Sequence, residues 1–237
     1  MPRSVALDFC HAAPHHRAMS TAITDPIAFI HANTRLRPVP LVPEVALHVA
    51  DEALPLWSKT EEELGEAGLP PPFWAFAWAG GQALARYVLD HPDTVAGKEV
   101  IDLASGSGLV AIAAMKAGAR RVTAFDIDRF ACAAIAINAA ANDVAVKVSG
   151  ADLLSAPHPE FAHTVLAGDI FYQRDIAELA LQFLSSRAAD GASVLIGDPG
   201  RSYLPKDQLT QLAQFGVPVS RDLEDAEIKN TSVWTLR

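Results

Sequence analysis

The run Val100-Ile101-Asp102-Leu103-Ala104-Ser105-Gly106-Ser107-Gly108 passes from a β-branched apolar segment through an acid into glycines spaced by serine. Leu109 to Ala117 follows as an apolar stretch of helical character that Gly118 stops. The run therefore reads as strand, turn and helix, with the strand over Lys98–Leu103. Glycines in such a turn let the backbone pass close to a ligand, and the first turn of the helix offers unpaired N–H groups. In open α/β sheets ligands bind beyond the carboxyl ends of the strands, which is where this turn falls. A plain turn with glycines kept for packing is the alternative, so the next strand has to support a ligand site.

It does. Val122-Thr123-Ala124-Phe125-Asp126 is a second strand ending in an acid, 20 residues after Gly106, where a carboxylate can accept both hydroxyls of a ribose. Gly106-x-Gly108-x-x-Ala111 also meets the relaxed dinucleotide fingerprint. Asp102 separates the two readings. A carboxylate at the end of the first strand repels a pyrophosphate and attracts the cationic amino group of an amino acid.

Outward from this pair, strand and helix patterns alternate. Gln82–Leu89 is helical and stops at His91-Pro92, and Phe130–Ala141 is an alanine-rich helix. Val144–Val148 and Thr164–Ala167 are strands. Asp175–Ala188 is an amphipathic helix with Ile176, Leu179, Ala180 and Phe183 on one side. Ser193–Ile196 is a strand, Gln208–Phe215 a helix, and Val217–Val219 with Thr231–Leu236 a closing strand pair. This order implies an α/β fold with a doubly wound, Rossmann-like, mostly parallel seven-stranded sheet and an antiparallel edge strand.

Toward the N-terminus, Asp25-Pro26 starts a short helix, with the acid as cap and proline in the first turn. Pro38, Pro40 and Pro43 keep residues 36–43 extended, and Val45, Leu47 and Val49 alternate as in a strand. Glu44, Asp51, Glu52 and Glu61 to Glu63 form an acidic neighbourhood, read as a solvated face or a surface for a basic partner, and Pro70-Pro71-Pro72 breaks the chain. The expected division is a disordered leader over 1–24, an N-terminal extension over 25–70 and the main domain over 71–237. The leader carries Arg3 and Arg17 with Asp8 as its one acid, which reads as an upstream start before Met19 or as a transit peptide.

Composition narrows the partners. Of 237 residues half are hydrophobic, and the net charge is -9 with no Lys/Arg block, so neither nucleic acid nor a membrane is the expected partner. Cys10 and Cys132 offer no disulfide framework and no metal-ligand spacing; no metal is expected. A reducing compartment fits, a bacterial cytoplasm first and a mitochondrial matrix as the alternative.

The two acids around the glycine turn, with the closing strand pair, resemble the class I (seven-β-strand) methyltransferases. The resemblance implies S-adenosylmethionine as cofactor. Asp102 then faces its methionine amino group, Gly106 and Gly108 underlie the methionyl-ribose part, and Asp126 holds the ribose. Asp152, in Gly150-Ala151-Asp152-Leu153, matches the acid near the adenine, although a turn or cap acid is the simpler reading. Trp78, Ala104 and Ile127 complete the cofactor-binding set.

Three further segments narrow the resemblance. Pro72-Phe73-Trp74-Ala75-Phe76-Ala77-Trp78-Ala79-Gly80-Gly81-Gln82 is similar to a signature of methyltransferase family 16. Ala167-Gly168-Asp169-Ile170-Phe171-Tyr172 matches its acid-x-x-aromatic motif, and Ile196-Gly197-Asp198-Pro199-Gly200-Arg201 a later strand-end loop. The combination most resembles the electron transfer flavoprotein β-subunit lysine methyltransferases, which implies that flavoprotein subunit as protein partner. Gln173 and Ala79 depart from the pattern. Asp169 and Tyr172 are then the catalytic residues, with Asp169 orienting a lysine amine and Tyr172 bonding to it or closing the channel. Trp74, Asp198 and Arg201 shape the substrate channel, unless Trp74 and Trp78 merely staple the entry segment to the core and Asp198 and Arg201 belong to a plain Pro-Gly turn. Phe171 is assigned to packing. A small-molecule N-methyltransferase, a methyltransferase of another protein such as a ribosomal protein, and a silent cofactor-binding module are the competing readings.

Overall fold

A computed structural model describes residues 25–50, 72–155, 161–219 and 227–237. The leader, the acidic stretch after Ala50 and the Pro70-Pro71 break lie outside the described residues. Seven strands form the main sheet: β3 (Glu99–Leu103), β4 (Arg121–Phe125), β5 (Lys147–Ser149), β6 (Thr164–Gly168), β7 (Ser193–Asp198), β8 (Leu209–Pro218) and β9 (Ile228–Leu236). Their order is β5-β4-β3-β6-β7-β9-β8. β3 to β7 run parallel, and β9 runs antiparallel to both β7 and β8. The sheet is mostly parallel with its reversed strand at one margin, as the sequence implies. β9, the last strand in the chain, is inserted between β7 and the outermost strand β8.

Each buried strand alternates between two cores. Val100, Val122, Leu166 and Leu195 point to one face, packed under α2 (Ala79–Asp90), α3 (Leu109–Lys116) and part of α4 (Arg129–Ala141). Ile101, Val165, Val194 and Ile196 point to the other, under α5 (Arg174–Ala189). Two covered faces are why these strands read as continuous apolar runs. α5 turns Ala177, Ala180 and Leu184 inward while Leu179 is 41% exposed, so the buried stripe is rotated from the one expected. Small residues on that stripe let the helix lie close to the sheet. No helix among the described residues is long and apolar enough to cross a membrane.

Residues 208–215 are not a helix. Leu209, Leu212 and Phe215 recur at near-helical spacing, but the segment is strand β8, paired from Leu209↔Leu236 to Pro218↔Ile228. Its register shifts between Gln211 and Ala213, leaving Leu212 unpaired. One extra residue in a strand breaks the period of two and gives the apolar spacing a helical look.

Before the sheet, α1 (Pro26–Asn33) is capped by Asp25, whose Oδ1 accepts from the N–H groups of Ile27 and Ala28. β1 (Arg35–Val39) and β2 (Val42–Val49) then form an antiparallel hairpin. The outer edge of β2 is finished by α4 rather than by a third strand. Asn142 exchanges two bonds with Ala46 (3.0 and 2.6 Å), and Asn138 Oδ1 accepts from His48 N–H at 2.8 Å. Four helical residues advance about 6 Å and two strand residues about 6.6 Å, so the two asparagines keep step with the strand. Asn138 is fully buried, and its Nδ2 also donates to the carbonyl of Ser107 inside the glycine turn, at 2.8 Å. Asn138→Ala leaves a strand N–H and a turn carbonyl unpaired. It is expected to destabilise the protein by about 2–3 kcal/mol, read as a lowered urea midpoint with an unchanged m value.

Candidate active site

The glycine turn is held by backbone shape and by its two flanking acids. Ala104, Gly106 and Gly108 all have positive φ (50°, 56° and 85°), so three left-handed residues turn the chain sharply out of β3. Asp102 is 1% exposed, and its Oδ2 accepts from Ser105 Oγ at 2.5 Å and from Ala111 N–H at 3.0 Å, tying the strand end to the first turn of α3. Asp126 receives the Gly106 N–H on Oδ2 (2.9 Å) and the Asp128 N–H on Oδ1 (3.0 Å). Nothing lies within 4 Å of where a Cβ would sit on Gly106, so that glycine opens space as well as permitting the turn.

These groups line a cavity of about 400 Å³ at the carboxyl ends of β3, β4 and β6, large enough for a nucleoside-sized ligand. Among the described residues five carboxylates line it, from Asp102, Asp126, Asp128, Asp152 and Asp169, against a single cation, Arg201. Burial pushes the Asp102 carboxyl up to about 7, with the neighbouring charge of Asp126 adding to the rise. Burial likewise raises Asp126 and Asp128 above the usual carboxylate range. Among the described residues neither Asp102 nor Asp126 is ion-paired. Two buried, unpaired acids suit a ligand that brings a cation and hydroxyl donors, and they oppose a pyrophosphate. This donor set fits the amino acid and ribose ends of S-adenosylmethionine.

Also on the cavity wall, Asp169 follows β6 with a left-handed backbone (φ 56°) and accepts from the Gly81 N–H at 2.8 Å and from Arg201 Nη2 at 2.9 Å. It does not cap α5, whose cap position is Gln173. Tyr172 lines the mouth, 44% exposed, its ring 5.6 Å from that of Phe73. Trp78 also lines the cavity, donating from Nε1 to the Phe73 carbonyl with Arg201 Cζ 5.7 Å from its ring centre. Ala104, Gly106, Ile127 and Asp152 line it too. Ile127 is 75% exposed, and Asp152 closes a turn by accepting from Leu154 N–H and Ser155 Oγ.

Two expected site residues, Gly108 and Asp198, are off the cavity wall, and Trp74 has another role on it. Gly108 is absent from the cavity wall; a Cβ there would meet the Ile135 backbone at 3.2 Å, so it lets α3 and α4 approach. Trp74 is 2% exposed and stacked on Phe130, with rings 6.2 Å apart, and forms the cavity floor rather than a channel. Phe29 packs edge-on against both, so Trp74 does staple the N-terminal segment to the core. Asp198 is 1% exposed and off the cavity wall; its Oδ1 accepts from the N–H groups of Gly200 and Arg201. It shapes the loop that carries Arg201. Burial, together with the charge of Asp169, raises its carboxyl to about 6. Phe171 is fully buried, as assigned.

Sequence reasoning missed how α2 is seated. The helix begins at Ala79, three residues earlier than its apolar pattern suggests, and Gly80 lies against Gly197 and Asp169. The paired glycines at 80 and 81 were the available signal, since glycine is costly at a helix start unless close contact requires it. Asp128, which caps α4 through Phe130 N–H at 2.8 Å, was also missed as a cavity residue.

The family model for ribosomal protein L11 methyltransferase (PrmA) matches residues 82–197, from α2 to β7. A solved ribosomal protein L11 methylase from Lactobacillus delbrueckii subsp. bulgaricus superposes with a TM-score of 0.48 at 20% identity, over 68% of this chain and 81% of that one. The electron transfer flavoprotein beta subunit lysine methyltransferase of Rattus norvegicus is 36% identical over 217 residues, covering 87% of this chain and 82% of that protein. The Homo sapiens protein of that name is 33% identical over 232 residues, covering 95% and 87%. With identity at this level through nearly the whole of both chains, the chain belongs to the family of electron transfer flavoprotein beta subunit lysine methyltransferases.

Proposed function

We propose that this enzyme transfers a methyl group from S-adenosylmethionine to lysine side chains of the electron transfer flavoprotein β subunit. The observation that carries the reading is the cavity itself. It offers buried acids without an ion-pair partner among the described residues, together with an anchored carboxylate, Asp169, beside a group of aromatic side chains. When bound, the cofactor supplies an electrophilic methyl on a sulfonium. Asp102 would take its amino group and Asp126 its ribose, with Ile127 and Asp152 toward the base. Trp78 presents an aromatic face suited to a cation.

A lysine must reach the site as the neutral amine, which at pH 7 costs about 4.6 kcal/mol from a reference pKa near 10.4. Desolvation between Phe73, Trp78 and Tyr172 lowers that cost, because burial disfavours the ammonium. Asp169 has acceptor capacity left on each oxygen to orient the amine hydrogens. Tyr172 stands at the mouth to bond the amine or to close over the side chain. The test is incubation with labelled methyl donor and purified flavoprotein. Label on lysines of the β subunit is expected. Label confined to small amines, or to ribosomal protein L11 in a mixed extract, removes the substrate assignment.

Donor binding is expected to depend on pH. Asp102 is held near 7 in the free protein, and only its ionised form attracts the amino group. As pH falls through that value the acid protonates and affinity drops. Donor Kd at pH 6 is expected to be about tenfold weaker than at pH 8. Binding near pH 6.5 should release a proton, seen as a buffer-dependent heat in calorimetry. Asp102→Asn should bind weakly at both pH values; a steep pH dependence surviving in that variant places the titrating group elsewhere.

A further inference from the structure

Arg201 is the only cationic side chain on the cavity wall among the described residues, and it stands on the carboxylate assigned to the substrate amine. Its placement is built. Asp198 Oδ1 accepts the Gly200 N–H at 2.6 Å and the Arg201 N–H at 2.7 Å, clamping the turn after β7. From there the guanidinium reaches across to the loop after β6, with Nη2 2.9 Å from Asp169 Oδ1 and Cζ 5.7 Å from the Trp78 ring centre. The side chains are 22% and 13% exposed, so solvent screens the pair less than a surface ion pair. Carboxylate on one side and aromatic face on the other are also what an alkylammonium ion would bind to.

We propose that Arg201 is a charge-balancing positioning residue. By occupying Asp169 and keeping its own charge beside the amine site, it makes the site take lysine as the neutral amine in preference to the ammonium ion. This rests on the lysine-methyltransferase reading above. A lone carboxylate would raise the pKa of a bound amine and hold it in the unreactive form. The guanidinium cancels that pull without removing the acceptor that orients the amine. Other groups facing the pair are the Gly81 N–H of α2, the Trp78 face just before α2, Tyr172 after β6, and Asp198 at the end of β7. Lys206 lies beside Gly200, and Arg174 lies over the Tyr203 ring. A unit charge about 5 Å away shifts a pKa by roughly two units at an effective dielectric of about 20. Screening at this partly exposed site reduces the expected shift to about one.

The experiment compares the full-length enzyme with Arg201→Gln and Arg201→Lys, using labelled donor and flavoprotein from pH 6 to 10. A second readout is binding of n-butylammonium at pH 7 by calorimetry. In Arg201→Gln the acidic limb of kcat is expected to move alkaline by about one unit, so that kcat at pH 7 falls about tenfold while the alkaline plateau is kept. The same variant should bind n-butylammonium about tenfold more tightly. Arg201→Lys should restore the limb. An equal loss of kcat at every pH, with limb and n-butylammonium affinity unmoved, means that Arg201 only props Asp169 and overturns the proposal. If the wild type labels no lysine, the functional reading falls instead. n-Butylammonium affinity then decides Arg201 alone: tighter binding in Arg201→Gln upholds its charge-balancing role, and unchanged or weaker binding ends it.

Discussion

Asp169→Ala should lower kcat by about 10²–10³-fold while leaving donor affinity within a factor of about three. The two effects separate because the carboxylates are held by different parts of the cavity wall. Asp102 and Asp126 grip the glycine turn and face the donor's amino acid and sugar, whereas Asp169 is fixed by the Gly81 N–H and Arg201 near the mouth. Removing its side chain leaves those two donors without their acceptor. Water can reach them, since Asp169 is 13% and Arg201 22% exposed, so the loss of stability should stay near 1–2 kcal/mol. What is lost is the acceptor that aligns the amine, which shows in kcat rather than in donor Kd. Asp169→Asn sharpens the reading. Asparagine tolerates the left-handed backbone at φ 56° and still accepts the Gly81 N–H, but it carries no charge. Its turnover should fall between wild type and Asp169→Ala. Steady-state kinetics with the flavoprotein, paired with donor titration of each variant, decide it. Turnover unchanged in Asp169→Ala would remove this residue from the mechanism.

What the chain disclosed before folding follows from how local each signal is. Asp102, Gly106 and Asp126 were legible because a strand-end acid, a left-handed glycine and a second strand-end acid about 20 residues on make one chemical pattern within a single β-α-β unit. The sheet followed from runs such as Val165-Leu166 and Val194-Leu195, apolar on both faces. Failures came where the deciding partner is distant in sequence. Leu212 is pushed out of register by pairing with β9, so Leu209, Leu212 and Phe215 imitate a helix. Asp198 was read toward the channel because it stands in a strand-end loop similar to the family's. Its carboxylate instead turns inward to Gly200 and Arg201, and only the three-dimensional turn shows this. Trp74 carries the same aromatic chemistry as Trp78. Stacking on Phe130, 56 residues on, is what sends one to the floor and leaves the other on the wall.

Gly197→Ala should be among the most damaging single-methyl changes at the described residues. A Cβ on Gly197 would lie 2.1 Å from the Gly80 carbonyl oxygen, 2.9 Å from the Gly80 carbonyl carbon and 2.8 Å from Leu84 Cβ. None of these atoms can rotate away: two are backbone, and the third is the first atom of a side chain. The first turn of α2 must therefore lift from the ends of β6 and β7 by about 1 Å. Overpacking of a rigid contact costs about 3 kcal/mol, which in a domain of this size lowers Tm by about 6–12 °C. The same displacement draws the Gly81 N–H away from Asp169, now 2.8 Å apart, so turnover should drop even where the fold survives. Gly168→Ala is the graded comparison, since its Cβ would meet Gly81 Cα at 3.1 Å, a contact a small shift can relieve. Gly191→Ala is the control, with nothing within 4 Å and only the strain of φ 93°, about 1–2 kcal/mol. Melting temperatures should fall in the order Gly197→Ala, Gly168→Ala, Gly191→Ala, largest loss first. A Gly197→Ala protein melting within about 2 °C of wild type would mean that α2 is not seated on the strand ends. The anchoring of Asp169 by the Gly81 N–H would then lose its structural basis as well.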